Sequence, residues 1–173
     1  ADVVTSFSGQ AEAAGIELRV ENGTTASLTI QGDAGRLDQV LSNLVSNALR
    51  HTPQGGRITL RARAVDSFVQ ITIVDTGEGI APQRQALLFE AFEQADSSTT
   101  RRAGGTGLGL AISIEDARLH QGRLEAWGEP GNGACFRLTL PLVRGHKVTT
   151  SPLPLKPSGL SGASTGPQAR VKD

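Results

Sequence analysis

Three places in this chain carry residue types that could meet a polyanionic ligand. Asn43 and Asn47 lie four residues apart, so in a helix they stack on one face, and Arg36 and Arg50 share that flank. Two carboxamides and two guanidiniums form a rim able to hold a metal ion and phosphate oxygens, although for the asparagine pair alone plain solvent exposure is the better reading. Asp75-Thr76-Gly77-Glu78-Gly79 follows an apolar run. A carboxylate there, with Gly77 and Gly79 letting a ligand approach, can accept a hydrogen bond from an exocyclic amine such as that of adenine. Alone, the same five residues read as a turn. Gly104-Gly105-Thr106-Gly107-Leu108-Gly109-Leu110 opens a helical pattern, and its backbone N–H groups at the positive end of the helix dipole suit a polyphosphate. It is not a dinucleotide-binding fingerprint, since no strand runs directly into it and no acidic residue about 20 positions on ends a second parallel strand. The order and spacing of all three in one domain carry more than any of them alone.

Composition narrows the chemistry. The 173 residues hold 17 Lys plus Arg against 17 Asp plus Glu, so no electrostatic driving force toward nucleic acid is present and none is expected to bind. Arg outnumbers Lys 14 to 3, and Lys147, Lys156 and Lys172 all fall near the C-terminus. A body without lysine excludes both the Walker-type phosphate loop and the protein-kinase strand lysine. A single cysteine, Cys135, supplies neither an internal disulfide nor a zinc site. There is no signal peptide and no apolar run long enough to span a bilayer, which predicts a soluble, cytoplasmic piece. The start at Ala1 and the absence of Met suggest a piece of a longer chain, any membrane attachment belonging to parent segments outside it.

The positioning elements follow from periodicity. Residues 2–14 predict a short helix ended by Gly15, 16–21 a half-buried strand, and 27–31 a second short strand. Leu37, Val40, Leu41, Leu44, Val45, Ala48 and Leu49 make one helical stripe with Asp33 as N-cap. Residues 57–64 and 68–74 alternate with period two and predict a hairpin. A short helix is expected around 82–92, a mobile polar stretch over 94–104, and a helix over 107–120 with Leu108, Ala111, Ile112, Ile114 and Leu119 on its apolar side. A last hairpin over 123–127 and 134–140 completes an α+β layer fold. Residues 1–144 are expected to form the domain, and 145–173, with four of the eight prolines among Ser, Gly and Thr, a disordered tail.

Read together, NLVSNALRHTP, DTGEGI, FEAF and GGTGLGLAI resemble, in order, the N, G1, F and G2 boxes of the catalytic ATP-binding domain of bacterial sensor histidine kinases. That domain belongs to the superfamily shared with gyrase, heat-shock protein 90 and the mismatch-repair ATPase. The resemblance covers residues 1–142, and the stretch from ARLHQGRLEAW to PLPLKP is also similar to the end of actinobacterial kinases of the Mtr type. It implies a two-layer α/β sandwich, a mixed sheet of about five strands with three helices on one face. It implies ATP and Mg²⁺ as cofactors. Asn47 would coordinate the metal, Asn43 would line the same site, and Arg50 and His51 would stand near the phosphates. Asp75 would bind the adenine amine, with Gly77, Gly79 and Ile80 shaping the pocket and Thr139 supporting it from the last strand. Phe89 and Phe92 would anchor a lid from Ile80 to Gly104 on which Arg101 or Arg102 reaches the γ-phosphate. Gly105, Thr106, Gly107, Leu108 and Gly109 would cradle phosphates.

The implied activity is γ-phosphoryl transfer to a histidine. An amide at Asn43, where the hydrolysing relatives carry a glutamate base, favours a kinase over a gyrase-like ATPase. None of His51, His120 and His146 lies in an acceptor-like helix, so the acceptor is expected on a dimerisation domain of the same parent, with a response regulator as the next partner. An anti-sigma-factor-type serine kinase, a nucleotide module without catalysis and a recombined kinase domain remain open.

Overall fold

A computed structural model describes residues 2–23, 27–94, 107–146 and 148, with side chains for these apart from 2, 89–94 and 107–108. Nine elements follow in order: α1 (Asp2–Ala13), β1 (Glu17–Asn22), α2 (Ala34–His51), β2 (Arg57–Val65), β3 (Phe68–Asp75), α3 (Pro82–Gln94), α4 (Gly107–Leu119), β4 (Arg123–Gly128) and β5 (Ala134–Pro141). The strands form one sheet in the order β1-β2-β3-β5-β4. β1 pairs with β2 in parallel, so the chain between them must cross over, and α2 makes that crossing. The other three pairings are antiparallel.

Register decides which side chains meet the helices. Ile58, Asp75 and Ala134 align across β2, β3 and β5, as do Leu60, Ile73 and Phe136, and then Ala62, Ile71 and Leu138. Because side chains alternate, these rows share one face, and it is the face that forms the core with Leu37, Val40, Leu44, Val45 and Ala48 of α2 and Ile114 and Ala117 of α4. Truncating a side chain such as Leu44 there costs about 2 to 5 kcal/mol. The opposite face carries ion pairs, Arg57 to Glu17 at 2.8 Å and Arg61 to Glu21 at 2.6 Å across the parallel pair. That alternation gives the two-layer α/β sandwich, with a mixed sheet of five strands and four helices where the sequence resemblance implied three. None of the described helices is long and apolar enough to cross a membrane.

Two local expectations are overturned. Residues 27–31 form no strand; Leu28 and Ile30 pack partly against the core but no neighbouring strand offers them a ladder. On α4 the inward residues are Leu110, Ser113, Ile114, Asp116 and Ala117, while Ala111, Ile112 and Leu119 point to solvent. Ser113 and Asp116 hold buried places because each finds a polar partner on α2, so hydrophobicity alone selects the wrong side of that helix.

Candidate functional site

The site is assembled on α2. Asp33 caps its start by accepting the N–H of Arg36 at 3.1 Å, as its sequence position predicts. α4 lies against it in the opposite direction. Arg36 reaches the buried Asp116 at 2.9 Å and the Nε2 of His120 accepts the N–H of Asp33 at 3.0 Å. Asn43 donates to the Ser113 hydroxyl at 3.2 Å and to the Gly109 carbonyl at 3.3 Å, while its Oδ1 accepts from Gln39 at 3.0 Å. Asn43 is therefore first a stitch between two helices. Arg36, which the sequence placed on the ligand rim beside Arg50, is spent on that seam instead.

Position along the seam sets what Asn47 can do. With Asn43 opposite Gly109 and Ser113, one further turn brings Asn47 level with the start of α4, where backbone N–H groups lack helical partners and the dipole favours an anion. Asn47 is half-buried and Arg50, in the last turn, is exposed. His51 closes α2 against the next loop: its Nδ1 meets the Glu78 carboxylate at 2.7 Å and its carbonyl accepts the Glu78 N–H at 3.2 Å. Asn43, Asn47 and His51 thus form a line of about 12 Å from the first turn of α4 to that loop.

At the loop end sits Asp75, only 2% exposed. Its Oδ1 accepts the N–H of Gly77 at 2.9 Å and of Ala134 at 3.2 Å. Burial pushes its carboxyl above the usual carboxylate range, and the two N–H groups pull it back. A buried carboxylate with one oxygen fully engaged keeps Oδ2 as the acceptor for a ligand amine. The loop is moulded closely. A side chain at Gly77 would strike the His51 carbonyl, and Gly79 (φ 79°) lies so near the Glu129 carbonyl that a Cβ has no room. Gly131 donates to the Glu78 carbonyl at 2.9 Å, so the β4–β5 turn seats on this loop, and Ile80 packs over Gly128.

Contacts join Asn43 to Gly109, His51 to Gly77 and Glu78, Asp75 to Gly77, and Gly79 and Ile80 to the β4–β5 end, while Asn47 and Arg50 lie on α2 between Asn43 and His51. Thr139 lies apart. It pairs with Gln70 and Arg123 on the helix-free face, five residues or about 17 Å along β5 from Ala134, and its buried hydroxyl has no hydrogen-bond partner. The last strand does support Asp75, but through the Ala134 backbone. Arg101, Arg102, Gly105, Thr106 and the stretch expected to be mobile lie outside the described residues, apart from Gln94 at the end of α3, as do the side chains of Phe89, Phe92 and Leu108. Gly107 begins α4. Ser113 and Ala134 were missed; the signal for Ser113 was a small polar residue one turn after Gly109 in an apolar helix.

These residues fit a purine nucleotide with its phosphates. A methyl group at Gly109 would touch Asn43 at 3.7 Å, an ordinary contact, so the helix seam does not require glycine there. Among the described residues no cluster of three or more His, Cys, Asp or Glu could hold a metal.

Residues 32–144 match the family described as histidine kinase-, DNA gyrase B-, and HSP90-like ATPase. The chain is 56% identical over 164 residues to the sensor histidine kinase MtrB of Mycolicibacterium paratuberculosis, covering 91% of this chain and 29% of that protein. It therefore spans less than a third of that curated relative. Full-length ShkA in complex with AMPPNP is similar with a TM-score of 0.67 and 35% identity, over 88% of this chain and 30% of ShkA. The nucleotide-free catalytic domain of the histidine kinase ThkA gives a TM-score of 0.67 at 25% identity, over 81% of this chain and 87% of that domain. With the buried carboxylate, the glycine loop and the paired asparagines in the order of that family, the chain belongs to the histidine kinase-, DNA gyrase B-, and HSP90-like ATPases.

Proposed function

We propose that this chain is the ATP-binding catalytic unit of a two-component sensor kinase and that it passes the γ-phosphoryl group to a histidine on a dimerisation domain of its parent, for relay to a response regulator. The observation that carries the reading is Asp75, buried, tethered through Oδ1 and open at Oδ2, at one end of the Asn43–Asn47–His51 line that leads to the start of α4. The adenine amine would donate to Asp75. The phosphates would lie at the first turn of α4, and Mg²⁺, held there by Asn47 and phosphate oxygens, would supply charge neutralisation in a loose transition state. The complex of ShkA with AMPPNP supports nucleotide use.

α2 offers amides and no carboxylate from Asn43 to His51, so no general base activates water there, and a histidine nucleophile needs none of comparable strength. Arg101 and Arg102 would meet the γ-phosphate from a lid over 80–104. The parent would be a sensor at the membrane, with this unit on its cytoplasmic side and residues 145–173 as a tail beyond the domain.

Calorimetry with Mg-ATP tests binding, and adding the separately produced histidine-bearing domain with labelled ATP tests transfer. Micromolar to submillimolar binding, slow hydrolysis and acid-labile label on the acceptor are expected. No heat at millimolar nucleotide would refute the nucleotide site. Rapid turnover without acceptor would place the chain on the ATPase side of the family.

A further inference from the structure

The chain does not leave the domain at the end of β5. Leu142 donates to the Ser67 carbonyl at 2.8 Å, Gly145 to Gln121 Oε1 at 3.1 Å and Val148 to the Gln121 carbonyl at 3.4 Å. Gln121 follows the C-terminus of α4, and the 13 residues of that helix put about 20 Å between it and the nucleotide rim. A cavity of about 370 Å³ opens at this remote end, lined by Gly32, Leu119, His120, Gln121, Pro141 and Arg144. Leu119 is 57% exposed, one of the five large apolar side chains left in water among the described residues. His120 is wall here: its Nδ1 meets the Asp116 carbonyl at 2.7 Å and its Nε2 the Asp33 N–H.

The segment beyond Val148 can reach the cavity, and its leucines suit the two apolar lining residues, Leu119 and Pro141, which sit among the polar Gln31, His120, Gln121 and Arg144. The sequence Thr149-Thr150-Ser151-Pro152-Leu153-Pro154-Leu155-Lys156-Pro157 alternates proline with leucine. Such a run favours an extended polyproline conformation, which exposes its leucines and loses little entropy when it docks. At about 3.1 Å per residue, Leu153 can lie anywhere within about 16 Å of Val148. Val148 is already bonded to Gln121, a lining residue of the cavity. The similarity to the M. paratuberculosis relative covers 91% of the chain, a span longer than residues 1–148, so it runs into this segment.

We propose that residues 152–157 dock in this cavity, with Leu153 and Leu155 against Leu119 and Pro141. The occupant is the chain's own C-terminal segment, and its docking covers the apolar surface that Leu119 leaves exposed. Since His120 ties the end of α4 to Asp33, the cap of α2, the docked segment braces both helices of the nucleotide site from the end farthest from the nucleotide.

Hydrogen exchange on the full chain, its Leu153→Ser/Leu155→Ser double variant and Leu119→Ser, with sedimentation at several concentrations, tests this. The amides of Leu153, Leu155 and Lys156 are expected to exchange about tenfold or more slowly than in a free peptide, independently of concentration. The double variant is expected to abolish that protection and to raise exchange at 119–122 by about tenfold, leaving β3 and β5 unchanged. Leu119→Ser, an exposed position that the fold tolerates, is expected to release 153–156 in the same way. Free-peptide exchange at 153–156 in the full chain overturns the proposal. So does protection that grows with concentration alongside a dimer, which would make a second copy the occupant.

Discussion

Burial holds the Asp75 carboxyl above the usual carboxylate range even though Gly77 and Ala134 both donate to it. A carboxyl whose folded value is raised favours folding below its unfolded value and loses that contribution as pH rises through the folded one, so at neutral pH the ionised group works against the fold. Asp75→Asn keeps an oxygen for both N–H groups, removes the buried charge and turns an NH₂ toward the adenine amine. The thermal midpoint is therefore expected to hold or rise while ATP affinity falls by roughly 10- to 100-fold, the worth of a hydrogen bond to a charged acceptor. Guanine carries a carbonyl where adenine has its amine, so the same variant is expected to narrow the preference for ATP over GTP. Calorimetry beside a melting curve reads both, and a variant that fails to fold would assign Asp75 to structure alone. The pH dependence runs the opposite way to the stability term: the nucleotide needs the ionised group, so affinity is expected to decline on acidification at a pH above the ordinary aspartate value of about 3.9. Titrations at successive pH values check this, and a profile flat down to that value would remove the carboxylate from the site.

Elements whose job is local were legible in the sequence. The α2 stripe, its Asp33 cap and the β2–β3 hairpin, which turns through Asp66 at φ 51°, appear where periodicity and turn chemistry put them. What failed depended on partners far along the chain. Ser113 and Asp116 read as the polar side of α4 because nothing within that helix announces Asn43 and Arg36, 70 and 80 residues away. Thr139 lies near Asp75 in a pattern of motifs but not in register, since an odd offset from Ala134 turns it to the other face. The glycine loop was legible in identity but not in cause. Gly79 is required because the β4–β5 turn lies on top of it, so Gly79→Ala is expected to lift that turn. The cost is expected to be about 1 to 3 kcal/mol, with nucleotide affinity lost even where the fold survives. Denaturant unfolding together with calorimetry separates the two losses, and wild-type affinity in the variant would show that the loop does not shape the site.

The whole molecule can be interrogated through one atom. Cys135 is fully buried near the start of β5, paired with Val74 and Trp127, and burial pushes its thiol up to about 12. At pH 8 a thiol reagent is expected to reach it only through global opening of the sheet. Where that opening is fast relative to modification, the labelling rate reports the unfolding equilibrium. Nucleotide at about 100 times its dissociation constant is then expected to slow labelling about 100-fold, equivalent to about 2.7 kcal/mol. Labelling that is fast in the apo chain, or indifferent to saturating nucleotide, would contradict a ligand coupled to the fold as a whole.

The parallel pairing of β1 with β2 has a kinetic consequence. β2 and β3 are joined by a two-residue turn and can close early, whereas Glu17–Asn22 must find Arg57–Ala62 across the whole of α2. Loop closure over that distance is entropically more expensive than closing the hairpin, so β1 is expected to dock after the transition state, onto β2 and β3 already paired. Leu18→Ala, which trims a side chain packed against the core, is expected to accelerate unfolding and leave the refolding rate nearly untouched, a φ-value close to zero readable from a chevron. The first strand then acts as a late latch on the life span of the folded state, and shaving its contacts shortens that life span without slowing the molecule's assembly.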